Sequence, residues 1–242
     1  LDPFWESKGY APPDEFKKFC NAVVPLARLH QRVFTIADEF DVPVEVANFG
    51  DTVLMNVEAT WEIQNGDELD NVVAQGTFPT SIIPIGKNIS LGKISVDLSN
   101  LHVNSRNISY AGSINLPAPH KYKLVVAGYS KRLGNFLGLP PLTNYFKNDW
   151  NFWLYPAHIS DAVPTNVFIT SSWDDAQKNL AAGGRVLFLP RNADLDWSSP
   201  PLARTPIFWN AQMGPTWSRM LGLCVETNSP ALAEFPTDEN CD

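Results

Sequence analysis

Between Val53 and Gln64, apolar residues fall at every second position. Val53, Met55, Val57, Ala59, Trp61 and Ile63 are separated by Asn56, Glu58, Thr60 and Glu62. Period two sustained over that length means a strand with one face on a core and the other in water. The turn signal Asn65-Gly66-Asp67 follows, and Val72 to Phe78 reads as the returning strand. Further strands are expected at Val33–Ile36, Val42–Asn48, Ile94–Leu98 (with Ile94, Val96 and Leu98 inward), Tyr122–Val126 and Asp149–Tyr155. About seven short strands separated by Gly, Pro and Asn turns, with no helix between them, predict an immunoglobulin-like β-sandwich over residues 31–157.

The flanking zones differ. In residues 1–30, Pro12-Pro13 precedes Asp14-Glu15, which suits the first turn of a helix. Phe16, Phe19 and Cys20 then fall at i, i+3 and i+4, a stripe expected to be buried, and Pro25 closes the pattern. In residues 158–242, Val167-Phe168-Ile169-Thr170 reads as an apolar strand and Asp174 to Ala182 as a helix stopped by Gly183-Gly184. Arg185 to Pro190 reads as a second strand. That βαβ unit implies a parallel sheet buried on both faces. With one crossover visible, it predicts a partial α/β domain. The expected fold class is therefore mainly β plus α/β.

Composition narrows the function classes. Hydrophobic residues make up 44% and charged residues 18%, enough for a core and unlike a disordered chain. The net charge of −8 argues against a nucleic-acid surface, which needs clustered Lys and Arg. No apolar run is long enough for a membrane span, and none resembles a leader. Cys20, Cys224 and Cys241 lack CxxC spacing, so no metal site, cofactor site or disulfide framework is expected. The sequons Asn88-Ile89-Ser90 and Asn107-Ile108-Ser109 matter only in a secreted eukaryotic protein, and such triplets arise by chance. The opening Leu1-Asp2-Pro3-Phe4-Trp5 has no initiator Met and reads as a continuation, so the chain is expected to be part of a longer protein.

Several stretches carry a resemblance. Leu1 to Tyr10, Glu15 to Cys20, Val24 to Arg28, Ile83-Pro84-Ile85-Gly86, Asn148 to Pro156, Pro206 to Asn210 and Pro230 to Thr237 occur in order along the chain. Together they resemble glycoside hydrolase family 2 proteins of the β-galactosidase-like type. The resemblance implies that residues 1–30 are the last loop and helix of a catalytic (β/α)₈ barrel and that residues 31–157 are an Ig-like sandwich. Residues 158–242 would be part of a domain similar to class I glutamine amidotransferases. It implies hydrolysis of glycosidic bonds by the parent, with both catalytic carboxylates upstream of Leu1, so no residue here inherits a catalytic role. It further implies a carbohydrate substrate reached through the parent's barrel, a bracing role extending to homo-oligomer formation, and a periplasmic or secreted bacterial setting. The family usually continues past Thr237 with a His- and Trp-containing stretch, which Asp238 to Asp242 lacks.

The candidate sugar contacts of the intact parent are Asp2, Trp5, Glu6 and Lys8. Loops at the carboxyl ends of barrel strands build the active site. A Trp there offers a flat apolar face to sugar C–H groups, and the charged neighbours can bond hydroxyls. The bland alternative is that Phe4 and Trp5 are packing residues. Asp2 and Glu6 on one loop lack the opposing wall of a glycosidase pair. Gly222-Leu223-Cys224-Val225-Glu226 compares with the Gly-x-Cys-x-Gly elbow of amidotransferases, but Glu226 replaces the second Gly and His30, His102, His120 and His158 all precede the thiol. Cys224 is expected to be a small buried residue. The Asp149–Tyr155 aromatics alternate as a doubly covered strand or interdomain seam would, and Trp209 and Trp217 read as packing anchors. Two rival functions remain open: a stand-alone carbohydrate-binding or adhesion sandwich, and a degenerate amidotransferase-like domain.

Overall fold

A computed structural model of the chain describes residues 4–6, 12–66, 71–104, 107–109, 115–117, 119–131, 143–158, 165–191, 194, 223–232 and 235–241. The fold is mainly β, its strands lying in several sheets. Two compact units divide it: Leu1–Ala157 with Ala231–Pro236, and His158–Pro230 with Thr237–Asp242.

The first unit opens with helix α1 (Pro13–Phe19), which has Pro at the start, Asp14 and Glu15 in the first turn and Lys17 and Lys18 in the last. That charge order complements the helix dipole. Strands follow as β1 (Val23–Ala27), β2 (Val33–Thr35), β3 (Glu39–Asn48), β4 (Leu54–Asn65), β5 (Val72–Thr77), β6 (Ser81–Ile83), β7 (Gly86–Asp97), β8 (Asn107–Ser109), β9 (Asn115–Pro117), β10 (His120–Lys131) and β11 (Thr143–Tyr155), with a 3₁₀ segment at Leu98–Asn104. One sheet has the order β1-β3-β7. A larger one runs β2-β11-β10-β4-β5, with β6 also pairing β4. All pairings are antiparallel except β2 with β11, which is parallel. Strands β8 and β9 form a separate antiparallel pair.

Among the described residues of this unit, an apolar core takes its side chains from both sheets. Phe40, Val42, Val44 and Val46 of β3 and Ile94 of β7 come from one, and Val57, Ile63, Leu124, Phe152 and Leu154 from the other. Phe34, Phe40, Tyr122 and Phe152 cluster within it, with Phe40 4.9 Å and Tyr122 5.6 Å from Phe152. Each such aromatic pair adds roughly 0.5–1.5 kcal/mol beyond area burial. The Tyr122 hydroxyl donates to the Leu101 carbonyl at 3.0 Å in the interior. Asn48 is fully buried and ties the β3–β4 turn: its amide donates to the carbonyls of Thr52 and Ile83, and its oxygen accepts from Gly50 N.

Several expectations are corrected here. Val53 and Met55 are about half exposed, and Leu54 takes the inward place. Asn56 adopts φ +49° and the register shifts between Leu54 and Val57. A bulge of that kind inserts a residue and exchanges the faces upstream of it. Strand β7 begins at Gly86, well before Ile94, because Gly92 at φ +138° carries the chain through a register shift that hides the alternation. The stripe Phe16, Phe19, Cys20 is exposed, and α1 buries no residue. The helix ends at Phe19, and Pro25 instead sits within β1, an edge strand, where a missing N–H costs no ladder bond. β1 thus pairs into the first sheet from within residues 1–30.

The second unit contains β12 (Val167–Thr170), α2 (Trp173–Ala181) and β13 (Arg185–Phe188), then β14 (Leu223–Cys224) paired antiparallel with β15 (Asn240–Cys241). β12 and β13 are parallel neighbours. Ser172 caps α2 by accepting from Asp175 N, and Gly183 at φ +80° ends it. The parallel pair is not buried on both faces: Phe168, Ile169 and Leu187 are 41–46% exposed. Two strands and one helix supply too little covering surface.

Candidate functional site

Of the four residues singled out from the sequence, Trp5 and Glu6 are described; Asp2 and Lys8 lie outside the described residues. Trp5 stands at φ +67° and is 82% exposed, as is Phe4 beside it. A bulky side chain in the left-handed region is strained. Phe16 and Phe19 on α1 meet edge to face at 5.3 Å and are themselves exposed. The opening of this unit therefore displays four large aromatic side chains to solvent. Cys224 pairs through its backbone with Asn240, while its side chain, Gly222, Trp209 and Trp217 fall outside the described residues. Among the described residues no three His, Cys, Asp or Glu side chains gather to hold a metal, and no helix is long and apolar enough to cross a membrane.

A second feature lies where α1 meets the outer face of the larger sheet. Ladder register sets that face out in rows across β4, β10 and β11: Glu58, Tyr129, Tyr145; Thr60, Ala127, Lys147; Glu62, Val125, Asp149; Gln64, Lys123, Asn151. Between these rows and α1 opens a cleft of about 590 Å³. The helix is held at its rim by Lys18, whose ammonium lies 2.5 Å from Asp149 on β11 and 2.6 Å from Glu15 on its own helix. Lys17 lies 3.8 Å from Asp14. Lys123, Lys147 and Tyr145 complete the walls with the amides of Asn21 and Gln64.

Electrostatics at the rim follow from these distances. Burial alone lowers the Lys18 pKa, but hydrogen bonds to Asp149 and Glu15 outweigh it and leave it raised. Lys18 therefore stays charged as a clamp. Across the same face, the Tyr129 hydroxyl donates to Glu58, and that bond raises its pKa. Further along the sheet, burial lowers the pKa of Arg32, whose guanidinium donates to the Asn151 carbonyl. Among the described residues, the three carboxylates lining the cleft pair with Lys17 and Lys18, and Lys123 and Lys147 have no carboxylate partner.

The lysines of this cleft were within reach of the sequence in part. Lys121, Lys123 and Val125 alternate with Tyr122, Leu124 and Val126, which marks an outward set on β10. What no periodicity supplies is the register that brings Lys147 and Asp149 beside them, or the docking of α1 above.

The described residues define a mainly β protein whose first unit carries this cleft and whose second contains one parallel β-α-β element. Residues 38–156 match a family described as Domain of unknown function (DUF8488), and residues 168–242 match another described as Domain of unknown function (DUF8487). No curated protein matches the chain.

Proposed function

We propose that the chain is a non-catalytic C-terminal portion of a glycoside hydrolase similar to family 2, in which an immunoglobulin-like sandwich braces the catalytic barrel of the parent. The observation that carries this reading is the exposed aromatic pair Phe16 and Phe19 near the opening of the first unit. Phe16 and Phe19 lie on a helix clamped by Lys18 and Asp149, so they are held in place yet uncovered. Apolar side chains displayed together usually mark a surface that packs on something else. A preceding barrel domain is the occupant the resemblance of Leu1 to Cys20 calls for.

The sandwich reading draws support from strand order. On this reading β1-β3-β7 would be strands A, B and E of an immunoglobulin-like fold, and β11-β10-β4 would be G, F and C. The parallel pairing of β2 with β11 fits a first strand that crosses from one sheet to the other. Tyr122, near the start of the F-like strand, ties that strand to the segment after β7 through its bond to the Leu101 carbonyl. In the second unit, β12-α2-β13 fits a piece of an amidotransferase-like α/β domain. Within the parent, Trp5 would offer its ring to a sugar and Asp2, Glu6 and Lys8 their hydrogen bonds. The purified chain should hydrolyse no aryl glycoside above the buffer blank. Turnover by the chain alone would overturn the reading, since both carboxylates belong upstream.

A further inference from the structure

We propose that the cleft between α1 and the outer face of the larger sheet binds an acidic oligosaccharide, a short chain of uronate-bearing sugars. The proposal stands on the first unit alone and does not depend on what lies upstream.

Charge comes first. The chain carries −8 overall, yet the residues lining this cleft include four lysines and three carboxylates, with Glu62 in the row between Lys123 and Lys147 held by the Gln64 amide. All three carboxylates are engaged: Asp14 with Lys17, and Glu15 and Asp149 with Lys18. Lys123 and Lys147 have no carboxylate partner among the described residues. They are the cations left for an outside anion.

Spacing then selects the anion. Lys147 faces Ala127 across the ladder, and Lys123 lies four residues further along β10. At about 3.4 Å per residue along a strand and about 4.8 Å between strands, their backbones stand about 14 Å apart. A single phosphate cannot meet both without drawing the two side chains toward each other over Val125 and Asp149. An extended chain with carboxylates at intervals can.

Chemistry of the remaining walls selects a sugar. Tyr145, 60% exposed, presents a ring on which sugar C–H groups can stack. The Gln64 amide donates to Glu62, which leaves its carbonyl oxygen to accept from a hydroxyl. Asn21 still has its amide donors, its oxygen being used by Ala22 N. Hydroxyls need donors and acceptors interleaved in this way.

The test is a titration of the full chain with trigalacturonate, followed by amide NMR and calorimetry. A neutral galactose trisaccharide and a glutamate oligopeptide serve as comparators. Saturable binding of the uronate is expected, with shifts at Lys123, Tyr145 and Lys147. Its Kd should weaken at least tenfold in the double variant Lys123→Gln/Lys147→Gln, several-fold in Tyr145→Ala, and not at all in Lys87→Gln on β7. Raising salt should weaken it as well. All four side chains are at least partly exposed, and circular dichroism of each variant checks that the fold is kept. Absence of saturable uronate binding would overturn the proposal. So would binding that the lysine substitutions leave unchanged, equal affinity for the neutral trisaccharide, or equal affinity for the acidic peptide.

Discussion

Asn48 is the residue on which one end of the first unit turns. Its fully buried amide satisfies two carbonyls and one N–H, holding β3, the turn after it and β6 together. Asn48→Ala would leave those groups unpaired in the interior and should cost about 2–4 kcal/mol, read as a lowered urea midpoint with unchanged slope. Tyr122→Phe removes one buried bond to the Leu101 carbonyl and should cost about 1–2 kcal/mol in the same experiment. Asn56 poses a different question, because its φ of +49° is a geometry that Asn and Gly tolerate and branched residues do not. Asn56→Gly should be close to neutral and Asn56→Val destabilising by about 1–2 kcal/mol. At this scale the sequence was only partly legible. Val57, Ala59 and Ile63 face inward as their spacing predicts, but nothing in the pattern announced that Asn56 would reverse Val53 and Met55.

Among elements, α1 is the one whose hold on the molecule is electrostatic. It buries no side chain, and its tie to β11 is Lys18 with Asp149, both less than a quarter exposed. A lysine whose folded pKa is raised contributes its stability fully below its ordinary value of 10.5 and loses it as pH climbs through the folded value. Docking of α1 should therefore persist through neutral pH and weaken only above about pH 10.5, which hydrogen exchange of the α1 amides would report. Asp149→Asn should release the helix at neutral pH and speed that exchange about fivefold, equivalent to about 1 kcal/mol. The helix itself was readable from Pro12-Pro13-Asp14-Glu15. Its burial was not, because the i, i+3, i+4 spacing of Phe16, Phe19 and Cys20 is the same whether that face meets a core or stays uncovered. The parallel β12 and β13 pair was readable for the opposite reason: two apolar runs, a capped helix and a Gly-Gly stop leave little freedom in how they connect.

At the scale of the whole molecule, the described core of the first unit is built from residues between Phe34 and Leu154. Unfolding of a fragment spanning residues 1–157 should therefore remain cooperative, with coincident transitions by fluorescence and far-UV circular dichroism. Non-coincident transitions would mean that the core needs more of the chain than those residues supply. Sheet order was beyond the reach of periodicity. The alternation of β3, β4, β10 and β11 says which residues face inward, but not that β2 would lie parallel beside β11, a pairing more than a hundred residues apart in sequence. The proposal that this molecule braces a carbohydrate-cleaving barrel is tested most directly by the size of the native protein in its source, measured by immunoblot with an antibody to the first unit. A (β/α)₈ barrel takes about 250 residues. A band of roughly twice this chain's 26.9 kDa or more is expected, and a native band at 26.9 kDa would overturn the proposal.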